Sequence, residues 1–176
     1  MGLSRVDLIS LQYESQLRQM HSAKVFAAGG GKHIRKIEQL IGKVGAKSLL
    51  DYGCGAVDLS LDLPNLDVRG YDPAVEGRDE LPTPADLVVC TDVLEHIEPD
   101  RLDAVLGHIF ELTIKICFVV IATRPADKRL PDGRNAHLII DNAGWWVQRL
   151  RALDWIASVH DLTADDVTLW LRKRGC

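Results

Sequence analysis

The sequence has no long hydrophobic run and few cysteines. No apolar segment approaches the roughly 20 residues that a helix needs to cross a bilayer. The first 20 residues include charged side chains where a signal peptide has an apolar core. Four cysteines occur in 176 residues, and none forms a CxxC pair. These absences argue against a membrane-spanning protein and a disulfide-rich mini-protein, and they predict reduced thiols in a cytoplasmic protein.

The chain also lacks an excess of positive charge. Its 21 lysines and arginines face 25 aspartates and glutamates, which gives a formal net charge of −4. Proteins that bind nucleic acids over a wide surface are usually basic, so this balance disfavours a nucleic-acid partner. The apolar fraction of 47% is that of an ordinary globular protein, and the length predicts one domain over 1–176.

Short apolar runs alternate with helical patterns along the chain, an order that is typical of α/β proteins. The predicted elements are helices over 7–20, 32–43, 102–112 and 143–153, strands over 48–52, 68–71, 86–90, 116–122, 155–159 and 166–171, and a glycine joint over 29–31. The last two strands are close enough for a hairpin. We therefore expect a doubly wound, mostly parallel sheet with a C-terminal antiparallel strand over 32–176, preceded by the helix and joint over 1–31.

A glycine turn follows the first predicted strand, and an acid ends the second. The first strand runs into Gly53-Cys54-Gly55 directly after Asp51, and the second ends at Asp72-Pro73. Glycines at such a turn let a ligand approach the backbone closely. An acid at the end of the second strand can accept hydrogen bonds from both hydroxyls of a ribose. A strand, a glycine turn, a helix and an acid-ended strand together indicate a nucleoside cofactor.

A dinucleotide fits this turn poorly. The GxGxxG pattern that seats a pyrophosphate at a helix N-terminus has a third glycine, whereas the six residues from Gly53 are Gly-Cys-Gly-Ala-Val-Asp. Asp58 would repel a phosphate, while Asp51 suits an ammonium group. A nucleoside that carries an amino acid therefore fits better, and a nicotinamide oxidoreductase is disfavoured.

Three segments resemble the motifs of class I S-adenosylmethionine-dependent methyltransferases. Residues 49–55 are similar to the first motif of that family, and 71–73 to its ribose-binding acid. The segment 85–97, with DVLEH at 92–96, is similar to the fourth-strand segment of its small-molecule branch. The resemblance spans 32–171 and implies a Rossmann-like cofactor-binding core, S-adenosylmethionine as cofactor, and a small-molecule acceptor methylated on oxygen or nitrogen. The cofactor contacts that it implies are Asp51, Gly53, Cys54, Gly55, Asp72, Pro73, Cys90, Thr91 and Asp92.

The sequence departs from this family at two places. Val57 stands where the family often has the last glycine of GxGxG. Only residues 73–84 separate Asp72 from the next strand segment, where the family has a helix and a third strand. We therefore expect the third strand to be reduced or missing, and the adenine-contacting residue is left unassigned.

Methyl transfer from a sulfonium needs the acceptor atom in line with the methyl group, and a base if the acceptor is a hydroxyl or a protonated amine. Glu95 and His96 follow the strand over 86–90, and His137 lies in the polar loop after the strand over 116–122. Ligands of open α/β sheets bind at the carboxyl ends of the strands. Glu95, His96 and His137 are therefore the predicted residues for activating or orienting the acceptor.

The D-x-x-E-H turn with a distant histidine also resembles the divalent-metal site of small-RNA 2′-O-methyltransferases, and similar turns occur in ubiquinone-biosynthesis O-methyltransferases. A metal held by Asp92, Glu95, His96 and His137 would lower the pKa of an acceptor hydroxyl and orient it. The alternative is that Glu95 and His96 fix the loop through hydrogen bonds and that His137 contacts the substrate.

Three functions stay open at this point, with a monomer or a homodimer expected in each case. The first is a small-molecule methyltransferase, which the acidic charge balance favours over the second, an RNA or nucleotide 2′-O-methyltransferase-like enzyme with a divalent metal. The third is a non-catalytic binding module that has kept the methyltransferase fold, which the short segment after Asp72 leaves open.

Overall fold

A computed structural model describes residues 4–23 and 30–174 of the chain. Gly29 of the predicted joint and Cys176 lie outside these residues, and the other three cysteines are buried free thiols. No helix in the described ranges is both long and apolar enough to cross a membrane. The elements are α1 Arg5–Leu8, α2 Leu11–Ser22, α3 Ile34–Val44, β1 Ser48–Tyr52, β2 Asp67–Tyr71, β3 Ala85–Thr91, α4 Leu102–Leu112, β4 Thr113–Ala122, α5 Ala143–Arg151, β5 Trp155–Leu162 and β6 Asp166–Lys173.

The six strands form one sheet in the order β2-β1-β3-β4-β6-β5. The pairs among β2, β1, β3 and β4 are parallel, whereas β6 is antiparallel to both β4 and β5. Residues 72–84 are all described and form no strand. The prediction of a doubly wound, mostly parallel sheet with a C-terminal antiparallel hairpin and no third strand is therefore confirmed.

Helices cover both faces of the central strands. Alternate residues of β1 and β4, such as Leu49 and Phe118, pack with α3 on one face. The residues between them, such as Leu50 and Cys117, pack with α4 and α5 on the other. Central parallel strands buried on both faces read as continuous apolar runs, which is why the sequence pattern located them well.

The first predicted helix is split into α1 and α2. Ile9 is extended between them, and the Ser10 side chain accepts a hydrogen bond from the Tyr13 amide as the N-cap of α2. Ser10 also donates its amide and hydroxyl to the two carboxylate oxygens of Glu98, at 2.8 and 2.7 Å. A capping serine competes with a continuous helix, and here a contact 88 residues away decides the outcome.

The helix expected after the glycine turn is reduced to a 3₁₀ turn, Leu59–Leu61. Asp58 begins the turn by accepting a hydrogen bond from the Ser60 amide. Pro64 disfavours helical backbone at the residue before it, and β2 starts at Asp67. The connection therefore has room for little more than one turn, and the sequence-based expectation of a helix here is wrong.

Phe118 lies at the centre of the sheet and is fully buried, so its replacement by alanine leaves a cavity. We expect Phe118→Ala to lower the free energy of unfolding by about 3–5 kcal/mol. Ile114 lies on the same strand but is half-exposed, and Ile114→Ala should change it by about 0.5 kcal/mol or less. Denaturant titrations of both variants check this. Equal losses would contradict the assignment of Phe118 to the core.

Candidate functional site

A cavity of about 790 Å³ opens at the carboxyl ends of β1, β2 and β3. This is the edge at which open α/β sheets bind their ligands. Its lining includes residues 53–57 after β1, Asp72 and Pro73 after β2, and Thr91 to Val93 at the end of β3. Further walls come from α1, α2 and the link between them, from the 3₁₀ turn before α3, from the turn after β3 and from the loop after β4. Their lining residues are Leu8, Ile9, Tyr13, Leu17, His21, Lys32, His96, Ile97, Glu98, Arg124, Ala126, Asp127, Lys128, Ala136 and His137.

The glycine turn is fastened to the end of β2. The amides of Gly53 and Cys54 both donate to the Tyr71 carbonyl, at 2.7 and 3.1 Å. Gly53 has φ 77°, and a β-carbon there would overlap the Val93 side chain. Gly55 has φ 56°. These two positions need glycine for their left-handed backbone, and Gly53 needs it for space as well.

Asp72 faces the cavity with a carboxylate that already has two backbone partners. Its Oδ2 accepts from the Gly55 amide at 3.0 Å, and its Oδ1 accepts from the Ala74 amide at 2.9 Å. The Nε2 atom of His21 lies 3.9 Å from Oδ2. A carboxylate has about four lone-pair sites, so Asp72 keeps acceptor capacity for the two hydroxyls of a ribose.

Asp92 has an unusual backbone at the end of β3. Its φ of 56° lies in the left-handed region, where side chains other than those of glycine, asparagine and aspartate are strongly disfavoured. The carboxylate lines the cavity and lies 2.6 Å from the ammonium of Lys32. Thr91 also lines the cavity, whereas Cys90 is fully buried among core residues that pack with α4.

Asp51 does not line this cavity. It is 4% exposed and borders a second, smaller cavity of about 320 Å³, together with Asp58, Arg69 and Arg78. Burial raises the pKa of Asp51 to about 7, and the charge of Arg78 opposes the increase. Of the predicted cofactor residues, Asp51 and Cys90 therefore lie away from the main cavity, and the other seven line it.

Glu95 is a buried acid that joins three parts of the chain. Its side chain is fully buried, and Oε1 accepts from the Ala122 amide at 3.0 Å. Its backbone carbonyl accepts from the Ile139 amide. Oε2 has no hydrogen-bond partner among the described residues, and burial raises the pKa of Glu95 to about 8. The side chain is therefore mostly protonated at neutral pH.

The imidazoles of His96 and His137 meet beside Glu95, with ring centroids 4.8 Å apart. The Nδ1 atom of His96 lies 2.7 Å from the Ala136 carbonyl, and that of His137 lies 2.6 Å from the Arg124 carbonyl. A carbonyl only accepts, so each Nδ1 carries a proton and is the donor. Burial lowers the pKa of His96 to about 4.

Three of the four predicted metal ligands come together. One ligand atom from each of Glu95, His96 and His137 lies within 4.8 Å of the other two, while Asp92 is outside this group and paired with Lys32. Imidazoles that are oriented through Nδ1 by a carbonyl are the usual arrangement for metal-ligating histidines. The donor set fits a divalent cation, provided that Glu95 loses its proton.

Sequence reasoning missed the residues that tie the N-terminal helices to this cluster. The Tyr13 hydroxyl donates to the His96 carbonyl at 2.7 Å, and Glu98 binds Ser10. It also missed Arg78, which contacts the glycine turn. Only Gly70 carried a signal for such a contact, because a glycine inside a strand often marks a close approach.

Comparisons with known proteins identify the fold and no family. No family model matches the chain, and no curated protein matches it. Among solved structures, DhpI in complex with SAH is 20% identical with a TM-score of 0.67, over 93% of this chain and 97% of that chain.

Two further methyltransferase structures are similar to this chain. The 1,6-didemethyltoxoflavin-N1-methyltransferase of Burkholderia thailandensis, with its substrate and S-adenosylhomocysteine, is 17% identical with a TM-score of 0.64, over 98% and 92% of the two chains. The N-methyltransferase NodS of Bradyrhizobium japonicum, with S-adenosylhomocysteine, is 13% identical with a TM-score of 0.57, over 81% and 86%. At these identities the likeness establishes that the chain has the fold of these methyltransferases.

The buried acid makes stability depend on pH. Because the pKa of Glu95 rises from 4.5 to about 8 on folding, its contribution is complete below pH 4.5 and is lost as the pH rises through 8. We expect wild type to lose about 2 kcal/mol more than Glu95→Gln between pH 6.5 and 8. Urea titrations at both pH values measure this. Parallel losses would show that Glu95 is ionised in the folded protein.

Proposed function

We propose that the chain is an S-adenosylmethionine-dependent methyltransferase of the small-molecule branch, which methylates its acceptor on oxygen or nitrogen. The cavity of about 790 Å³ carries the proposal, because its lining includes both the glycine turn with Asp72 and the imidazoles of His96 and His137. Its volume is within the usual range for small-molecule sites. The SAH-bound structures of the same fold support the same cofactor.

The strand ends would hold the cofactor. S-adenosylmethionine, when bound, supplies a methyl group made electrophilic by the sulfonium. Asp72 accepts hydrogen bonds from the ribose hydroxyls, and Gly53 and Gly55 let the cofactor lie against the backbone. Cys54, Pro73, Thr91 and Asp92 complete the wall. Asp51 and Cys90 act indirectly, Asp51 from behind the glycine turn and Cys90 from within the core.

The acceptor would be activated by the imidazole pair. Methylation of a hydroxyl or a protonated amine would require the acceptor to lose a proton. His137 is oriented through Nδ1, so its Nε2 is the ring atom that can take this proton. The low pKa of His96 suits orienting the acceptor better than holding a proton. Glu95 acts as a positioning residue, since its carboxyl holds the end of β4 beside the turn.

The cavity lining favours a compact acceptor with an apolar part. Leu8, Ile9 and Leu17 from the N-terminal helices line the cavity, as does Ile97 after β3. The same space must also take the cofactor, which restricts the size of the acceptor. Together with the net charge of −4, this favours a small molecule over an RNA chain.

Calorimetric titration with S-adenosylhomocysteine tests the proposal. We expect wild type to bind and Asp72→Ala to bind at least about tenfold more weakly, because ribose hydrogen bonds to a charged group contribute about 1.5–3 kcal/mol. Asp67→Asn is the matched control, since Asp67 starts the same strand, is exposed and does not line the cavity. Absence of wild-type binding at millimolar ligand would favour a non-catalytic module instead.

A metal-assisted version is the second candidate, favoured by the convergence of Glu95, His96 and His137. The three side chains would hold a divalent cation, which would lower the pKa of an acceptor hydroxyl. This version would also fit a nucleotide 2′-hydroxyl acceptor. It requires a proton to leave Glu95, so binding should strengthen as the pH rises.

Cobalt(II) is a suitable probe for this site, because its visible absorption reports coordination without any assay of activity. If the metal version is right, wild type binds one ion and His96→Ala and His137→Ala do not. His160→Ala is the control, because His160 is stacked on Trp170 and does not line the cavity. Equal binding by all four proteins, or none by wild type, would contradict the metal version.

A further inference from the structure

The short segment after β2 folds back on itself and returns to the glycine turn. The Val75 amide donates to the Asp72 carbonyl, and the Arg78 amide donates to the Val75 carbonyl. The Asp72 amide in turn donates to the Arg78 carbonyl at 2.9 Å. These bonds bring Arg78 next to Asp72, the residue that follows β2, although Arg78 comes six positions later in the sequence.

The Arg78 guanidinium then reaches the far side of the glycine turn. Its Nη1 donates to the carbonyls of Val57 and Gly55, and it lies 3.3 Å from the sulfur of Cys54. Its Nη2 lies 3.9 Å from the carboxylate of Asp58. In the usual arrangement a helix starts in this turn, and the amides of the helix donate hydrogen bonds to the carbonyls of the turn. Here only a short 3₁₀ turn follows, and the arginine supplies donors to the loop carbonyls.

Gly70 provides independent support for this contact. It lies within β2, and a β-carbon at this position would lie 2.8 Å from the Cys54 sulfur and 3.2 Å from Nη1 of Arg78. Glycine inside a strand weakens the strand and often marks a close approach of other groups. Glycine at position 70 therefore leaves space on β2, and the Arg78 guanidinium and the Cys54 side chain occupy that space.

The opposite side of the same turn lines the cofactor cavity. Gly53, Cys54, Gly55 and Val57 are all lining residues, and the Gly55 amide binds Asp72. A turn with two left-handed glycines has more conformational freedom than other backbone. Its geometry toward a ligand therefore depends on what holds it from behind.

We propose that Arg78 is a positioning residue that holds the turn from Gly53 to Asp58 in the geometry that receives the cofactor. It does so from the segment that stands in place of the missing helix and third strand. The inference rests on the proposed use of S-adenosylmethionine. The planar guanidinium lets Nη1 donate to the loop carbonyls while Nη2 faces the Asp58 carboxylate, which the single ammonium of a lysine on a flexible stem does less well.

Calorimetry with S-adenosylhomocysteine tests the inference on the whole chain. We expect Arg78→Ala to raise the Kd at least tenfold and Arg78→Lys to raise it by an intermediate factor. Arg69→Ala is the matched control and should stay within twofold of wild type. Arg69 borders the same small cavity, but it donates to the carbonyls of Thr83 and Pro84 and not to the turn.

Two further measurements separate positioning from general stability. The thermal midpoints of unliganded Arg78→Ala and Arg69→Ala should be similar, while the amide resonances of Gly53 and Gly55 should move in the first variant only. If Arg78→Ala does not fold, Arg78→Lys and Gly70→Ala replace it, and both should weaken binding. Unchanged affinity or unchanged glycine resonances would overturn the role of Arg78. If wild type itself fails to bind, the proposed function falls, and this inference falls with it.

Discussion

The site depends on the attachment of the glycine turn to the end of β2. The Tyr71 carbonyl accepts the amides of Gly53 and Cys54, and the Asp72 carboxylate accepts the amide of Gly55. These three bonds join the first two strands at the edge where the cavity opens. The hydrogen bond from the Gly55 amide also orients the Asp72 carboxylate, because it restricts rotation of the side chain. The glycine turn and Asp72 are therefore held in fixed positions relative to each other at this edge.

Residues 53–84, all of which the structure describes, form neither the α-helix nor the extra strand expected around this junction, and side chains take over their role. Arg78 contacts the turn from behind, and Asp79 pairs with Arg5 and Arg18 on the N-terminal helices, at 2.8 and 3.1 Å. The adjacent residues Arg78 and Asp79 thus connect this short segment to the glycine turn and to the N-terminal helices, which are two walls of the cavity. Fixed hydrogen bonds and ion pairs replace packing, which allows the segment to stay short.

The histidine side of the cavity is organised by backbone carbonyls and by one buried acid. The carbonyls of Arg124 and Ala136 accept hydrogen bonds from Nδ1 of His137 and His96, which sets the tautomer and the orientation of both rings. Glu95 is buried beside them with a raised pKa. The fold therefore places two oriented imidazoles and one mostly protonated acid side by side.

Local sequence patterns were enough to predict the sheet and most of the cavity edge. Apolar runs located β1, β3 and β4, and the local motifs around Gly53, Asp72 and His96 identified residues that line the cavity. Three features could be read from the folded chain alone: Asp51 and Cys90 lie away from the main cavity, a 3₁₀ turn replaces the helix after the glycine turn, and Tyr13 and Arg78 support the site. Strand periods and turn motifs are local and leave a mark in the sequence, whereas these contacts join residues that become neighbours only when the sheet has formed.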